Sequence, residues 1–287
     1  MQTFHHIFKN QMSAPAYYWT NPDGSKGGIV AESATIDPTA TIGATTEVYP
    51  RASIGKEASI GKGVSVGSEA YIGNRVSLGK GASVGEDSRI DSGASLGQGA
   101  SIGSHASIGC RASIGEGASI GEDASIGAGA SIGADANIGN GASIGEDARI
   151  GEDARIGKCA NIGAGVNIGE DVKIGSGARL RSGASIGDGT SVGDSADIGA
   201  GTRIRYGSSI GAGAHIGSDV RICKSARIGK SAHIGEYAWI GVGARIGNDS
   251  SIGECVRIGT GARIGTGACI SEGASVGDGE SVGGAAS

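Results

Sequence analysis

One residue in every six, from Ile36 to Val282, is Ile, Val or Leu, and the interval never changes. The run comprises 42 hexads, of which 33 carry Ile, six Val and three Leu. The next residue is Gly in 35 of the 42, and the residue two before is nearly always Ala, Val, Ser or Thr. Gly supplies 58 of the 287 residues, and glycine-rich, low-complexity chains are often disordered. The strict spacing of β-branched residues argues against disorder. A chain with nothing to bury has no reason to keep its apolar residues in phase.

The hexad has a simple physical reading. A short strand points one β-branched residue inward, where it packs well on a pleated surface. Gly then turns the chain, and its tolerance of backbone conformations that other residues resist is the expected reason for its place there. Three hexads make a triangular coil of 18 residues, and successive coils stack about 4.8 Å apart through parallel strand pairing. The expected fold is an all-β parallel β-helix, a triangular solenoid of about 14 coils with no loop insertions, over residues 28–284.

The two ends differ from this body. Residues 1–27 hold Phe4, Phe8, Tyr17, Tyr18 and Trp19, half of all the aromatics in a chain that is only 3% aromatic. A solenoid needs a cover over its first coil, so this segment is expected to be a cap or an attachment element. Residues 285–287 are a tail. The closing stretch ASVGDGESVGGAAS has no helical pattern, and an uncovered last coil is an exposed sheet edge.

The residue before each core aliphatic points outward, and residues 18 apart share a face. The first face includes Asp197, His215 and His233 in succession. The second includes Arg203, Arg221, Trp239 and Arg257. The third includes Arg227, Arg245 and Arg263. The earlier coils present mostly Ser at the same positions. Stacked like charges repel, so the three Arg ladder residues suggest an anion or an acidic partner. Arg221 and Arg257 flank Trp239, which permits cation–π stacking and is an interface signature. Asp197, His215 and His233 form a candidate proton-transfer set or weak metal site.

Charge and cysteine content exclude some functions. The net charge is −5, so the whole chain is no generic polyanion binder and nucleic acid is not an expected partner. Residues 203–263 alone carry nine Lys or Arg against Asp219, Glu236, Asp249 and Glu254, which makes that stretch the candidate site for an anionic ligand. The five cysteines, Cys110, Cys159, Cys223, Cys255 and Cys269, match no zinc or redox spacing. They do not stack on one another, so no intrachain disulfide is expected. No secretory segment or apolar run of 18 residues is visible, and a cytoplasmic or virion-associated protein without a membrane partner is the corresponding expectation.

The stretch ATIDPTATIG (34–43) and the long SIGxxASIG body resemble the bacterial hexapeptide-repeat transferases. The resemblance covers roughly residues 28–284 and implies a left-handed parallel β-helix, a known exception to right-handed crossover. It also implies an acyl-CoA-dependent homotrimer with a catalytic His between subunits, for which His215 and His233 are the candidates. The family's extended loop, its C-terminal helical region and the three metal-binding histidines of one branch have no counterpart here. A structural or scaffolding rod is therefore the first functional expectation, with no cofactor and with side-by-side trimers or end-to-end stacking. Acyl transfer is the alternative. Ice binding is a third reading, but only Thr35 and Thr41 offer a methyl with a hydroxyl.

Overall fold

The computed structural model describes residues 2–283, so the 285–287 tail lies outside the described residues. Every regular element is a β-strand, and among the described residues there is no helix. From Thr35 onward the strands are two residues long and recur every six residues, each made of an outward residue and its core aliphatic. The core aliphatics and the Ala, Val, Ser or Thr two residues before them are buried with few exceptions, and the residue between them is mostly exposed. The result is a parallel β-solenoid, about 14 coils in all.

The chain divides into two compact units, Met1–Gly141 and Ala142–Ser287. The first holds the N-terminal segment and six coils, from Thr35–Ile36 to Asn137–Ile138. The second holds eight coils, from Ser143–Ile144 to Ser281–Val282. Among the coils of each unit the pairing is parallel and in register at a separation of 18, as in Ser95 against Ser113 and Leu96 against Ile114.

Three strands open the first unit: β1 (Phe4–Ile7), β2 (Ser13–Thr20) and β3 (Lys26–Ala31). β1 pairs antiparallel with β2, and β2 with β3. β3 then pairs parallel with Glu47–Val48 and becomes the first strand of one solenoid face. The solenoid pairing thus begins inside β3, which runs from Lys26 to Ala31 across the 27/28 boundary. Phe8, Ala16, Ala31 and Tyr49 pack together. Trp19 is also buried, and its indole N–H donates to the Ala40 carbonyl at 3.3 Å. Asn21 exchanges two hydrogen bonds with the Ile42 backbone, so β2 and the turn after it are tied to the first coil.

The corner glycines are there for a reason other than the one expected. Gly97, after Leu96, does not have a positive φ. A Cβ built on it would lie 2.5 Å from the Glu116 nitrogen and 2.7 Å from the Gly115 carbonyl carbon of the next coil. Gly115 meets Ala134 and Gly133 in the same way. What Gly supplies at the corner is the absence of a side chain where two coils touch through backbone. The left-handed residue comes two positions later. It is Gly in some hexads, and Asp in others, as at Asp123 and Asp135 (φ 57° and 54°). Asp tolerates this region better than most residues.

Several of the rare polar groups inside the solenoid are satisfied by the adjacent coil. Thr202 Oγ1 donates to the Gly217 carbonyl at 2.7 Å, and Ser208 Oγ to the Cys223 carbonyl at 3.0 Å. Each replaces a buried Ala and reaches a corner carbonyl, which removes the cost of burying a bare hydroxyl. Among the described residues none of the five cysteines is in a disulfide.

Two tests follow from this geometry. Gly97→Ala must push two backbones apart and should cost about 1–3 kcal/mol. Gly99→Asp, at a left-handed position (φ 68°) with no atom within 4 Å of a new Cβ, should cost about 1 kcal/mol or less. Denaturant midpoints of the two variants check this order, and the reverse order would reject the contact explanation. The second test concerns Asp37, whose carboxylate accepts hydrogen bonds from the Thr39 hydroxyl and N–H at 2.6 and 2.9 Å. These bonds hold it below its usual value of 3.8. A lowered carboxyl stabilises the fold above the unfolded value, and that contribution is lost as pH falls through the lower folded value. Asp37→Ala should therefore flatten the acid limb of the unfolding midpoint measured below about pH 4.

Candidate functional site

The candidate side chains all fall in the second unit. On its first face Asp197 is paired with His215 and His215 with His233, each strand one coil above the last. His215 Nδ1 lies 3.7 Å from Asp197 Oδ2, and the His215 side chain is about half exposed. The two imidazole centroids are 5.8 Å apart with the rings inclined at 44°. His233 turns its own Nδ1 toward the Ser231 carbonyl at 3.2 Å, so it does not share the carboxylate. The spacing in the sequence thus brings all three side chains into one column, but only His215 meets the acid.

Asp197 has a further partner. Arg181 Nε and Nη2 donate to its two carboxylate oxygens at 3.2 and 2.8 Å. This is a two-point guanidinium–carboxylate pair, a geometry that fixes the acceptor in plane. The bond and the charge of Asp197 hold the Arg181 guanidinium above its usual range. The carboxylate is therefore anchored by Arg181 and presents its remaining lone pairs toward His215. Among the described residues no three His, Cys, Asp or Glu side chains gather closely enough to hold a metal ion.

Arg181 escaped the face-by-face reading because it is not an outward strand residue. It stands where a corner Gly would be, directly after Leu180. Only seven hexads break the Gly rule: Asp37, Tyr49, Asp91, Arg181, Arg205, Cys223 and Ser271. A search for missing corner glycines would have found Arg181. The same signal marks Arg205 and Cys223 beside the second face.

That face carries Arg203, Arg221, Trp239 and Arg257 in consecutive register. They line a concavity of about 700 Å³ together with Asp219 and Tyr237. Asp219 and Tyr237 are left-handed turn residues 18 apart, at φ 56° and 59°, and stack along one rim. The spacing permits Arg221 or Arg257 to stack on Trp239, but neither is in cation–π contact with it. Among the described residues the cation–π contacts are Lys26 with Tyr18, Arg89 with Tyr71 and Lys224 with Tyr206. Long side chains rising from a flat sheet leave the indole open between them, and Trp239 remains 39% exposed.

On the third face Arg227, Arg245 and Arg263 stack in register and are exposed. Among the described residues none of the three takes part in an ion pair. Arg245→Glu should replace two repulsive neighbours by two attractive ones and raise stability by about 0.2–1 kcal/mol in low salt. The gain should shrink in 1 M salt. Unfolding midpoints at the two salt concentrations test it, and a salt-independent change would mean that charge is not the cause.

With this geometry in place, the chain can be set beside known proteins. The bacterial transferase hexapeptide family, defined by six repeats, matches residues 99–134, 111–146, 147–182 and 231–266. The hexapeptide repeat of succinyl-transferase matches residues 58–100. Together the two span more than half of the chain. No curated protein matches the chain by sequence. Among solved structures, UDP-N-acetylglucosamine O-acyltransferase from Moraxella catarrhalis is 19% identical, with a TM-score of 0.37, over 65% of this chain and 66% of its own. The Arabidopsis UDP-N-acetylglucosamine acyltransferase is 17% identical, with a TM-score of 0.26, over 85% and 66%. PerB from Caulobacter crescentus, solved with CoA and GDP-perosamine, is 23% identical, with a TM-score of 0.29, over 40% and 47%. The chain thus spans about two thirds of the first two and less than half of the third. At these identities the likeness is one of fold. Among the described residues no helix is long and apolar enough to cross a membrane.

Proposed function

We propose that this chain, which belongs to the bacterial hexapeptide-repeat superfamily, is an acyltransferase that takes its acyl group from an acyl-CoA. The observation that carries the reading is the Arg181–Asp197–His215 series on the first face of the second unit. Asp197, fixed by Arg181, faces His215 Nδ1 at 3.7 Å. An Nδ1 proton held toward the carboxylate leaves the lone pair on Nε2, across the ring. Nε2 then accepts the proton of an acceptor hydroxyl or amine as that group attacks the thioester carbonyl. The carbon–sulfur bond breaks, CoA leaves as thiolate, and the imidazolium returns the proton to it. A nearby carboxylate stabilises the imidazolium formed on the way.

An exposed imidazole on a flat face is a poor catalytic site alone, because water competes for its lone pair and screens the charges. A second copy laid against the first face would supply the missing wall. A homotrimer, with the His215 face in a groove between neighbours, is the assembly that fits this chemistry. The transferase and succinyl-transferase names of the matching family models support this reading over a bare spacer.

The test is release of CoA from acetyl-CoA in the presence of amino-sugar and hydroxyl acceptors, followed by chromatography of free CoA. His215→Ala should reduce turnover by about 10²-fold or more. His105→Ala is a matched control, since its Nε2 is also 3.7 Å from an acid, Asp87, but it has no second imidazole beside it. Equal loss in both variants, or no turnover with millimolar acetyl-CoA, would sink the proposal.

The scaffolding reading keeps one specific observation in its favour. The coils of each unit follow one another without any inserted loop, and loops usually carry sites on repetitive folds. Electron micrographs showing end-to-end filaments, with no CoA release, would favour it.

A further inference from the structure

We propose that the third face of the later unit docks on an anionic phospholipid surface, with Arg227, Arg245 and Arg263 as its central row and Lys224 and Lys230 beside it. The proposal is independent of acyl transfer. It uses a different face from His215 and His233. It asks for attachment to a bilayer surface, not passage through one, so it needs no long apolar segment.

This face carries charge that the fold leaves unpaired. Arg227, Arg245 and Arg263 stand in register on three consecutive coils, about 4.8 Å apart. Lys224 occupies the turn that enters the Arg227 strand, and Lys230 the turn that leaves it. All five residues are exposed. Among the described residues none of them takes part in an ion pair. Over these three coils the turns on either side of the face hold a single acid, Asp249. Stacked like charges repel, and the solenoid does not require them, since Ser191 and Ser209 hold the same position in the two preceding coils. An opposing layer of anions removes the repulsion. Exposed charges are largely screened from one another beyond about 8 Å at physiological salt, so the balance on this face outweighs the −5 of the whole chain.

The layout of the charges selects the class of anion. Strands paired in register put their outward side chains at one height, and the two lysines stand to either side of the arginine row. The five cations therefore form a patch that extends both along the coils and across them. A plane of laterally mobile phosphate headgroups meets all five at once. A linear acidic polymer meets a single row, and only if its charges repeat near 4.8 Å. Clusters of about four to eight Lys or Arg mark attachment to anionic lipid, and this face falls in that range. Tyr206, one coil before Lys224 on the same rim, is 55% exposed, and Lys224 Nζ lies 6.0 Å from its ring centroid. Tyr is favoured at the headgroup level, where its ring meets acyl chains and its hydroxyl meets water. The second face is less suited, because the turns that enter it carry Asp219, Glu236 and Glu254.

The test is co-sedimentation of the full chain with vesicles of phosphatidylcholine alone and of phosphatidylcholine with about 30% phosphatidylglycerol, in about 0.05 M and about 0.5 M salt. In low salt, partitioning onto the anionic vesicles should exceed that onto the neutral ones by about tenfold or more, and high salt should abolish the difference. Replacing Arg227, Arg245 and Arg263 together by Ala should weaken partitioning by on the order of tenfold or more. Replacing Arg203, Arg221 and Arg257 by Ala removes the same charge from the second face and should change it by less than about twofold. Arg245→Glu, which relieves repulsion within the ladder and so keeps the fold, should weaken partitioning by about fivefold or more. Equal partitioning onto the two vesicle types, equal loss from the second-face variant, or no binding to anionic vesicles at millimolar lipid would each overturn the proposal. Capture by immobilised heparin without vesicle binding would also overturn it, in favour of a linear acidic polymer. Vesicle binding without acetyl-CoA turnover would leave this surface standing and reject only the transferase reading.

Discussion

The structure depends on how closely one coil lies on the next. Within each unit a typical hexad reaches the adjacent coils through three backbone hydrogen bonds. In one hexad these are Ser95 N–H to the Ala112 carbonyl, Gly97 N–H to the Ile114 carbonyl and Gly99 N–H to the Lys80 carbonyl, at 2.8–3.0 Å. A fourth bond, Ala100 N–H to the Gly97 carbonyl, closes the corner. Strands only two residues long would be marginal by themselves, so cooperative stacking has to supply what strand length does not. That stacking brings corner backbones so near that a Cβ has no place between them. The invariance of the six-residue interval follows. One extra residue would shift every outward side chain onto the wrong position for the rest of its coil.

The same constraint explains where chemistry can appear. The core is fixed to one aliphatic and one small residue per hexad, and the corner to Gly. Variation is left to four positions: the outward strand residue, the two turn residues and the occasional corner without Gly. Side chains at these positions stand in columns because the coils are in register. A single substitution changes little, but substitutions 18 apart act together. Asp197, His215 and His233 arise in this way, as do Arg203, Arg221, Trp239 and Arg257. Arg181 shows a second route. A long side chain at a corner crosses to the neighbouring coil and fixes an acid that the column alone would leave to one weak partner.

Most of the fold was legible in the sequence because the period is so short and so regular. The core aliphatics, the three faces and the membership of each column all follow from counting by six and by eighteen. The contribution of the corner Gly was misread, because positive φ and lack of space both select Gly and the sequence does not distinguish them. The register permits Trp239 to stack with its flanking arginines, yet its ring stays open. Register gives the position of a side chain on a face, and the rotamers of long side chains are chosen by solvation and repulsion that register does not encode.

By itself the sequence determined the solenoid, its 18-residue coil and the composition of each face. Those depend on backbone periodicity and on which side of a strand a residue occupies, and both are local. Only the tertiary structure decided which neighbours within a column meet. Arg181 holds Asp197, His215 shares that acid and His233 turns to the Ser231 carbonyl. It also decided that Asp219 and Tyr237 close the rim of the Arg–Trp concavity. These contacts join residues one coil apart through side chains of several rotatable bonds, where energies of about 1 kcal/mol select among many arrangements.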